Sequence, residues 1–145
     1  MGNIQTISKV SFEDIQENIR NPYAYIIHTL PEHNESCLIK STLTAQQEVA
    51  LMNKLLKKGT SQPIIVYGMN ANDESAYKKY VELKNLGFKN ASLYPGGLFE
   101  WLLLQDIYGD ENFPTSKKEL DLLKYRAPTQ RILTGAQQLS LLTSG

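Results

Sequence analysis

The five residues Pro63-Ile64-Ile65-Val66-Tyr67 form an apolar, β-branched run with no polar residue to turn towards water. A half-exposed strand alternates polar and apolar positions, whereas an unbroken run is expected of a strand buried on both faces of a parallel sheet. A parallel sheet needs crossover connections, and the flanking sequence supplies them. The polar stretch Gly68-Met69-Asn70-Ala71-Asn72-Asp73-Glu74 leads into a predicted helix from about residue 73 to 86, which Gly87 closes. Upstream, Ser11 with Asp14 three residues later is a helix-start signal, and Phe12, Ile15 and Ile19 then share one face. Tyr23 to Ile27 reads as a strand entered through Asn21-Pro22, residues 31–36 as a loop, and residues 37–43 (CLIKSTL) as a second short strand. Thr44 caps a helix running to Lys58, with Val49, Leu51, Met52, Leu55 and Leu56 as its apolar stripe and Gly59 as its stop. Residues 90–94 (NASLY) form a further predicted strand, followed by a turn and a helix over 98–108. Strands alternating with helices of about ten to fifteen residues predict an α/β fold, with a mostly parallel central sheet flanked by helices on both faces. Residues 8–125 make up the expected domain; LDLLKYRAP is read as a short packing helix and 126–145 as a tail.

Charge and cysteine content exclude several function classes. Fifteen basic and fifteen acidic residues balance to zero net charge, so the chain lacks the concentrated basic face that nucleic acid demands. No charge-free stretch is long enough to span a bilayer, and no secretory apolar segment follows Met1. A single cysteine, Cys37, allows no internal disulfide, which suits a cytoplasmic setting. Within residues 1–10, Gly2 and Thr6 match the N-myristoylation pattern, with an unmodified Met-Gly start as the plain alternative. One acyl chain without a second cysteine or a basic run implies at most weak, reversible membrane association.

The order of these pieces resembles the rhodanese-like domain, in the small single-domain branch found in eukaryotic microbes. The resemblance rests on the run IIVY, its loop, a helix ending in Gly87-Phe88, and the string YPGGLFEW, in which Gly96-Gly97 precedes Trp101 by four residues. It implies a strand that delivers a catalytic Cys into a short loop at a helix N-terminus. That thiolate attacks the outer sulfur of a donor such as thiosulfate and holds it as a persulfide for an acceptor. Backbone N–H groups and the helix dipole stabilise the anionic sulfur, and no other side chain substitutes for the Cys.

The sequence departs from that pattern where the chemistry lies. Gly68 follows the strand directly, where most of the family places Cys, and the family's usual spacing back from Gly87 falls on Asn70 or Ala71. In the branch this chain resembles, a loop of the form Gly-x-Asn-Cys-Asn-Asp-Glu maps the Cys onto Ala71. Two histories fit: Ala71 is natural and the chain is a pseudoenzyme, or a nucleophile has been replaced there. Either way the loop is expected to form no persulfide. Asp73 and Glu74 in the first helical turn favour the dipole but repel an anion. A phosphatase reading lacks both Cys and Arg, and a P-loop reading lacks Gly-Lys-Ser/Thr. The plain alternative is that Asn70 to Asp73 only turn the chain and cap the helix.

The resulting expectation is a non-catalytic binding or regulatory module, with a disabled sulfurtransferase as its competitor. No cofactor or metal is expected, and the partner is an unspecified protein or small molecule. Cys37 is expected to be a buried inert thiol. His28 and His33 show no metal-ligand spacing and are expected to be structural, with a place at the site edge as the alternative for His28 at its strand end. The helix over 98–108 is apolar on nearly every side, so its outer face is expected to lie under LDLLKY or against a partner.

Overall fold

The computed structural model describes residues 6–127. Gly2 and almost all of the 126–145 segment lie outside the described residues. The elements run α1 (Phe12–Arg20), β1 (Tyr25–His28), a 3-10 turn (Glu32–Asn34), α2 (Ala45–Lys58), β2 (Ile64–Tyr67), α3 (Glu74–Asn85), β3 (Ala91–Tyr94), α4 (Gly97–Tyr108) and a second 3-10 turn (Leu122–Tyr125).

The caps read from sequence form as hydrogen-bonded pairs. Ser11 N–H donates to Asp14 Oδ2 (2.8 Å) while Asp14 N–H donates to Ser11 Oγ (3.4 Å). Thr44 and Gln47 make the same reciprocal pair at the start of α2, at 2.9 and 3.2 Å. Each cap satisfies N–H groups that the helix itself cannot, worth about 1 kcal/mol.

The three strands pair in parallel in the order β1-β2-β3, which places the unbroken apolar run at the centre. Ile65 pairs with Ile26 on one side and Ser92 on the other. One face, with Ile26, Ile65, Tyr67 and Tyr94, packs on Ile15 of α1 and on Leu98, Trp101 and Leu102 of α4. The opposite face, with Ile27, Ile64, Val66, Ala91 and Leu93, packs on Leu55 of α2 and on Ala76, Tyr80 and Leu83 of α3. Helices thus cover both faces, as the sequence implies. The sheet edges are also covered: Lys9 bridges to Leu93 beyond β3, and Thr42 bridges to Ile26 beyond β1. No helix of the described residues is long and apolar enough to cross a membrane.

Residues 37–43 are a correction to the sequence reading. They form no strand; Ile39 makes one antiparallel bridge to Thr115 and Thr42 one parallel bridge to Ile26. The chain turns between them, with Thr42 N–H donating to Ile39 O (3.0 Å) and Ser41 at φ 76°. Tyr67 fixes this turn from beneath: its buried hydroxyl accepts from Ile39 N–H (3.1 Å) and bonds Thr42 Oγ1 (2.9 Å).

The covering of α4 is partial. The second 3-10 turn lays Tyr125, fully buried, and Leu122 against the α4 core. Leu103, Ile107 and Tyr108 stay exposed on the other side of the helix.

Candidate functional site

β2 ends at Tyr67, and the loop to α3 begins at Gly68 with the carbonyls and carboxylates of two turns packed around it. Asp73 is the N-cap of α3 and Glu74 its first residue. One Asp73 oxygen, Oδ1, accepts from Ser75 N–H (2.9 Å) and from Ser75 Oγ (2.6 Å). The other, Oδ2, reaches back to accept from Met69 N–H (2.8 Å). The carboxylate therefore closes the loop on itself. It approaches so near that a Cβ at Gly68 would lie 2.6 Å from Asp73 Oδ2 and 3.1 Å from Ala76 Cβ. With this loop conformation, a side chain at position 68 would have to displace Asp73 from its seat.

Asn70 is the second organiser. It is 7% exposed, and its Oδ1 accepts from Asn72 N–H (2.9 Å) in a local Asx turn. Its Nδ2 donates to Tyr125 O (2.9 Å), tying the loop to the C-terminal 3-10 turn. Ala71 and Asn72 sit exposed at the crest between these anchors. The crest separates two open clefts. One, of about 550 Å³, is lined by Thr29, Pro31, Met69, Asn70, Asn72, Asp73, Glu74 and Ser75. The other, of about 440 Å³, runs along α3 past Ala71, Tyr77 and Lys78. The first has two carboxylates and no cation in its lining. In the second, Lys78 stands 4.0 Å from Glu74.

The Gly-Gly turn locks against the same loop. Gly97 has φ +68°, and a Cβ there would lie 2.7 Å from Gly68 O and 2.9 Å from Asn70 N. This close approach lets Leu98 N–H donate to Gly68 O (3.0 Å) and Phe99 N–H to Met69 O (2.9 Å). Gly96 places its Cα against the Glu100 carboxylate, which accepts from Tyr94 OH (2.6 Å). Burial, reinforced by that carboxylate, pushes the Tyr94 phenol well above its usual range. Trp101 is fully buried, donates Nε1–H to Pro114 O (3.1 Å), and meets Phe113 edge-on at 5.0 Å between ring centroids. Gly87, at φ +98°, ends α3 in a Schellman turn, with Phe88 N–H donating to Leu83 O (3.0 Å) and the Phe88 ring in the core.

The remaining candidates lie away from the clefts. His28 turns inward, with Nδ1 accepting from Leu30 N–H (3.0 Å) and Nε2 bonding Glu35 Oε2 (2.6 Å), so the proton sits on Nε2. Glu35 also accepts from Ala45 N–H (2.6 Å) at the start of α2. Cys37 is 1% exposed and donates Sγ–H to Lys117 O (3.2 Å). Burial pushes its thiol up, ahead of the hydrogen bonds that oppose the shift. His33 is exposed in the first 3-10 turn. Among the described residues, no three His, Cys, Asp or Glu side chains converge as metal ligands. Sequence reading passed over Thr29 and Ser75, whose hydroxyls lie 2.7 Å apart across the larger cleft, and Tyr125. Only Ser75 had a signal, two residues after a capping Asp.

A strand, a loop at the N-terminus of α3, and a Gly-Gly turn locked beneath it match what comparison with known proteins finds. The family model of the rhodanese-like domain matches residues 18–104, more than half of the chain. The chain belongs to the rhodanese-like family. Solved structures agree on the fold. The rhodanese-like domain of the Anabaena sp. Alr3790 protein has a TM-score of 0.56 at 19% identity, over 87% of this chain and 88% of that one. The single-domain sulfurtransferase RDL2 of Saccharomyces cerevisiae has a TM-score of 0.55 at 14% identity, over 77% of this chain and 99% of that one. The BH2092 protein of Bacillus halodurans has a TM-score of 0.56 at 15% identity, over 90% and 89%. No curated protein sequence gave a match. In this rhodanese-like domain the loop between β2 and α3 carries Ala71 on its exposed crest.

Proposed function

We propose that this rhodanese-like domain is a binding or regulatory module that performs no persulfide chemistry in its loop. One observation carries the reading: residues 68–74 contain no thiol, and the chain's single cysteine is 1% exposed in another part of the fold. Persulfide transfer needs a thiolate that is both accessible and of lowered pKa. Cys37 is neither, since burial raises it. The two clefts beside Ala71 remain as the surface on which a ligand or partner segment is held.

A second reading, a sulfurtransferase whose nucleophile has been replaced, is favoured by the placement of Ala71. It is exposed and lines the cleft along α3, where a thiol would be open to donor and acceptor. Sulfur transfer from thiosulfate, and from a low-charge polysulfide, to cyanide separates the readings. The unmodified chain is expected to be inactive with both donors. Turnover by the unmodified chain overturns the module reading and directs attention to Cys37. Turnover by Ala71→Cys alone establishes the second reading, and a folded but inert Ala71→Cys variant removes it.

A further inference from the structure

We propose that Asp73 sets the ligand class of this loop: its carboxylate is a built-in anion that closes the site to small oxyanions. The inference rests on the loop being the ligand site, as argued above. Two helix N-termini converge there, and four donors at and around them already have acceptors. Met69 N–H in the loop and Ser75 N–H in the first turn of α3 are both given to Asp73. Leu98 N–H and Phe99 N–H, at the start of α4, are given to the carbonyls of Gly68 and Met69. An incoming sulfate or thiosulfate therefore finds these four donors taken, and it meets a negative charge held in place.

The carboxylate is seated, not merely nearby. Its two oxygens have different partners on both sides of the loop, and Ser75 Oγ holds one of them at 2.6 Å. Room for it exists because position 68 has no side chain; any Cβ there would lie 2.6 Å from Oδ2 and 2.9 Å from Cγ. Gly68 and Asp73 thus act together, the first making the space and the second filling it. Glu74 carries the same charge one residue on, but its side chain is exposed and its only short contact is the 4.0 Å approach to Lys78. It contributes field without occupying the donors. The cleft lining of Thr29, Met69, Asn70, Asn72 and Ser75 is left to neutral or cationic groups that donate to oxygen.

The test is titration of the ¹⁵N-labelled full chain with sodium sulfate and sodium thiosulfate, with ionic strength held constant by sodium chloride. It reads anion binding without any thiol, so its result is independent of the sulfur-transfer assay. The unmodified chain is expected to show no saturable shift at the amides of residues 69–75. Asp73→Ser keeps a capping hydroxyl and removes the charge; it is expected to show saturable shifts at Met69 and Ser75, at least about tenfold tighter than the parent. Glu74→Gln removes one charge without freeing a donor and is expected to behave like the parent. Saturation of the unmodified chain at the loop overturns the proposal. So does a folded Asp73→Ser variant that fails to saturate. Equal gains from Asp73→Ser and Glu74→Gln overturn it as well, because they assign the effect to net charge and not to the seated carboxylate.

Discussion

The turns entering α3 and α4 lie side by side at the ends of β2 and β3, and they satisfy the same need by different means. The first N–H groups of any helix lack intrahelical acceptors. At α3 a side chain supplies one, with Asp73 accepting from Ser75 N–H while its other oxygen ties down Met69 N–H of the loop. At α4 no side chain does: Gly96 is the cap, and Leu98 and Phe99 donate to the backbone carbonyls of Gly68 and Met69. One turn is therefore anchored by chemistry that a mutation can alter, the other by backbone that nearly every mutation leaves in place. The difference explains how a loop can lack a nucleophile and keep its shape. The fold uses the loop's carbonyls and the Asn70 and Asp73 side chains, whereas the side chain at position 71 is exposed and, among the described residues, joins no core cluster.

The severest break in this comparison comes from Gly97. Its φ of +68° disfavours any L side chain, and the added Cβ would press on backbone atoms of Gly68 and Asn70 at 2.7 and 2.9 Å. Neither atom can swing away as a side chain would. Gly97→Ala is expected to cost about 3 kcal/mol, from left-handed strain and overpacking together. Urea denaturation measures it, and the α4 start should lose amide protection with it.

Gly68→Ala sharpens the contrast, because the clash there is with a side chain. The cost is expected to be about 2 kcal/mol as Asp73 is displaced from its 2.6 Å approach. In an Asp73→Ala background most of that cost should disappear, a coupling of about 1.5 kcal/mol in the double-mutant cycle. Gly97→Ala in the same background should show no such relief. Equal coupling for both glycines would mean that the two turns are not anchored differently.

Much of this was legible in the sequence. The caps at Ser11 and Thr44, the buried strand at Ile64–Tyr67, and the Gly-Gly and Trp101 element are local signals that the structure realises locally. What was not legible depends on partners distant in sequence. Residues 37–43 have the composition of a strand, but Tyr67 and Thr115 draw them into a turn at Ser41, which carries none of the usual Gly or Asn signals. Asp73 reads as a first-turn acid; that its second oxygen returns to Met69 depends on how Gly68 folds back. The insertion of Tyr125 beneath the loop has no sequence periodicity to announce it.

Asn70 tests how far the anchoring of the first turn extends. Removing its amide leaves Tyr125 O without its donor and Asn72 N–H without its acceptor. Asn70→Ala is expected to cost about 1 to 2 kcal/mol. Hydrogen exchange should rise across residues 122–126 as well as in the loop. Among the described residues the Tyr125 hydroxyl is buried with no hydrogen-bond partner, which makes this attachment the weaker side of the core and the first expected to open.

Acidification gives the smallest effect and the widest view of the comparison, because α2 is also anchored by a carboxylate. Glu35 accepts from Ala45 N–H at the first residue of α2 and from His28 at the end of β1. Burial alone would raise its carboxyl, but the Ala45 N–H and His28 outweigh burial and hold it below its ordinary 4.5. A carboxyl depressed on folding stabilises the protein above its unfolded pKa, and that stability is lost as pH falls through the folded value. The contribution of Glu35 is therefore complete at neutral pH and fades below about 4.5, where the unfolded chain binds the proton first. The start of α4 rests on carbonyls, which do not titrate, so acid should loosen the β1–α2 junction while leaving the Gly97 turn intact. Urea midpoints measured between neutral and acid pH should fall less steeply for Glu35→Gln than for the parent, and parallel slopes would show that this junction takes no part in acid sensitivity.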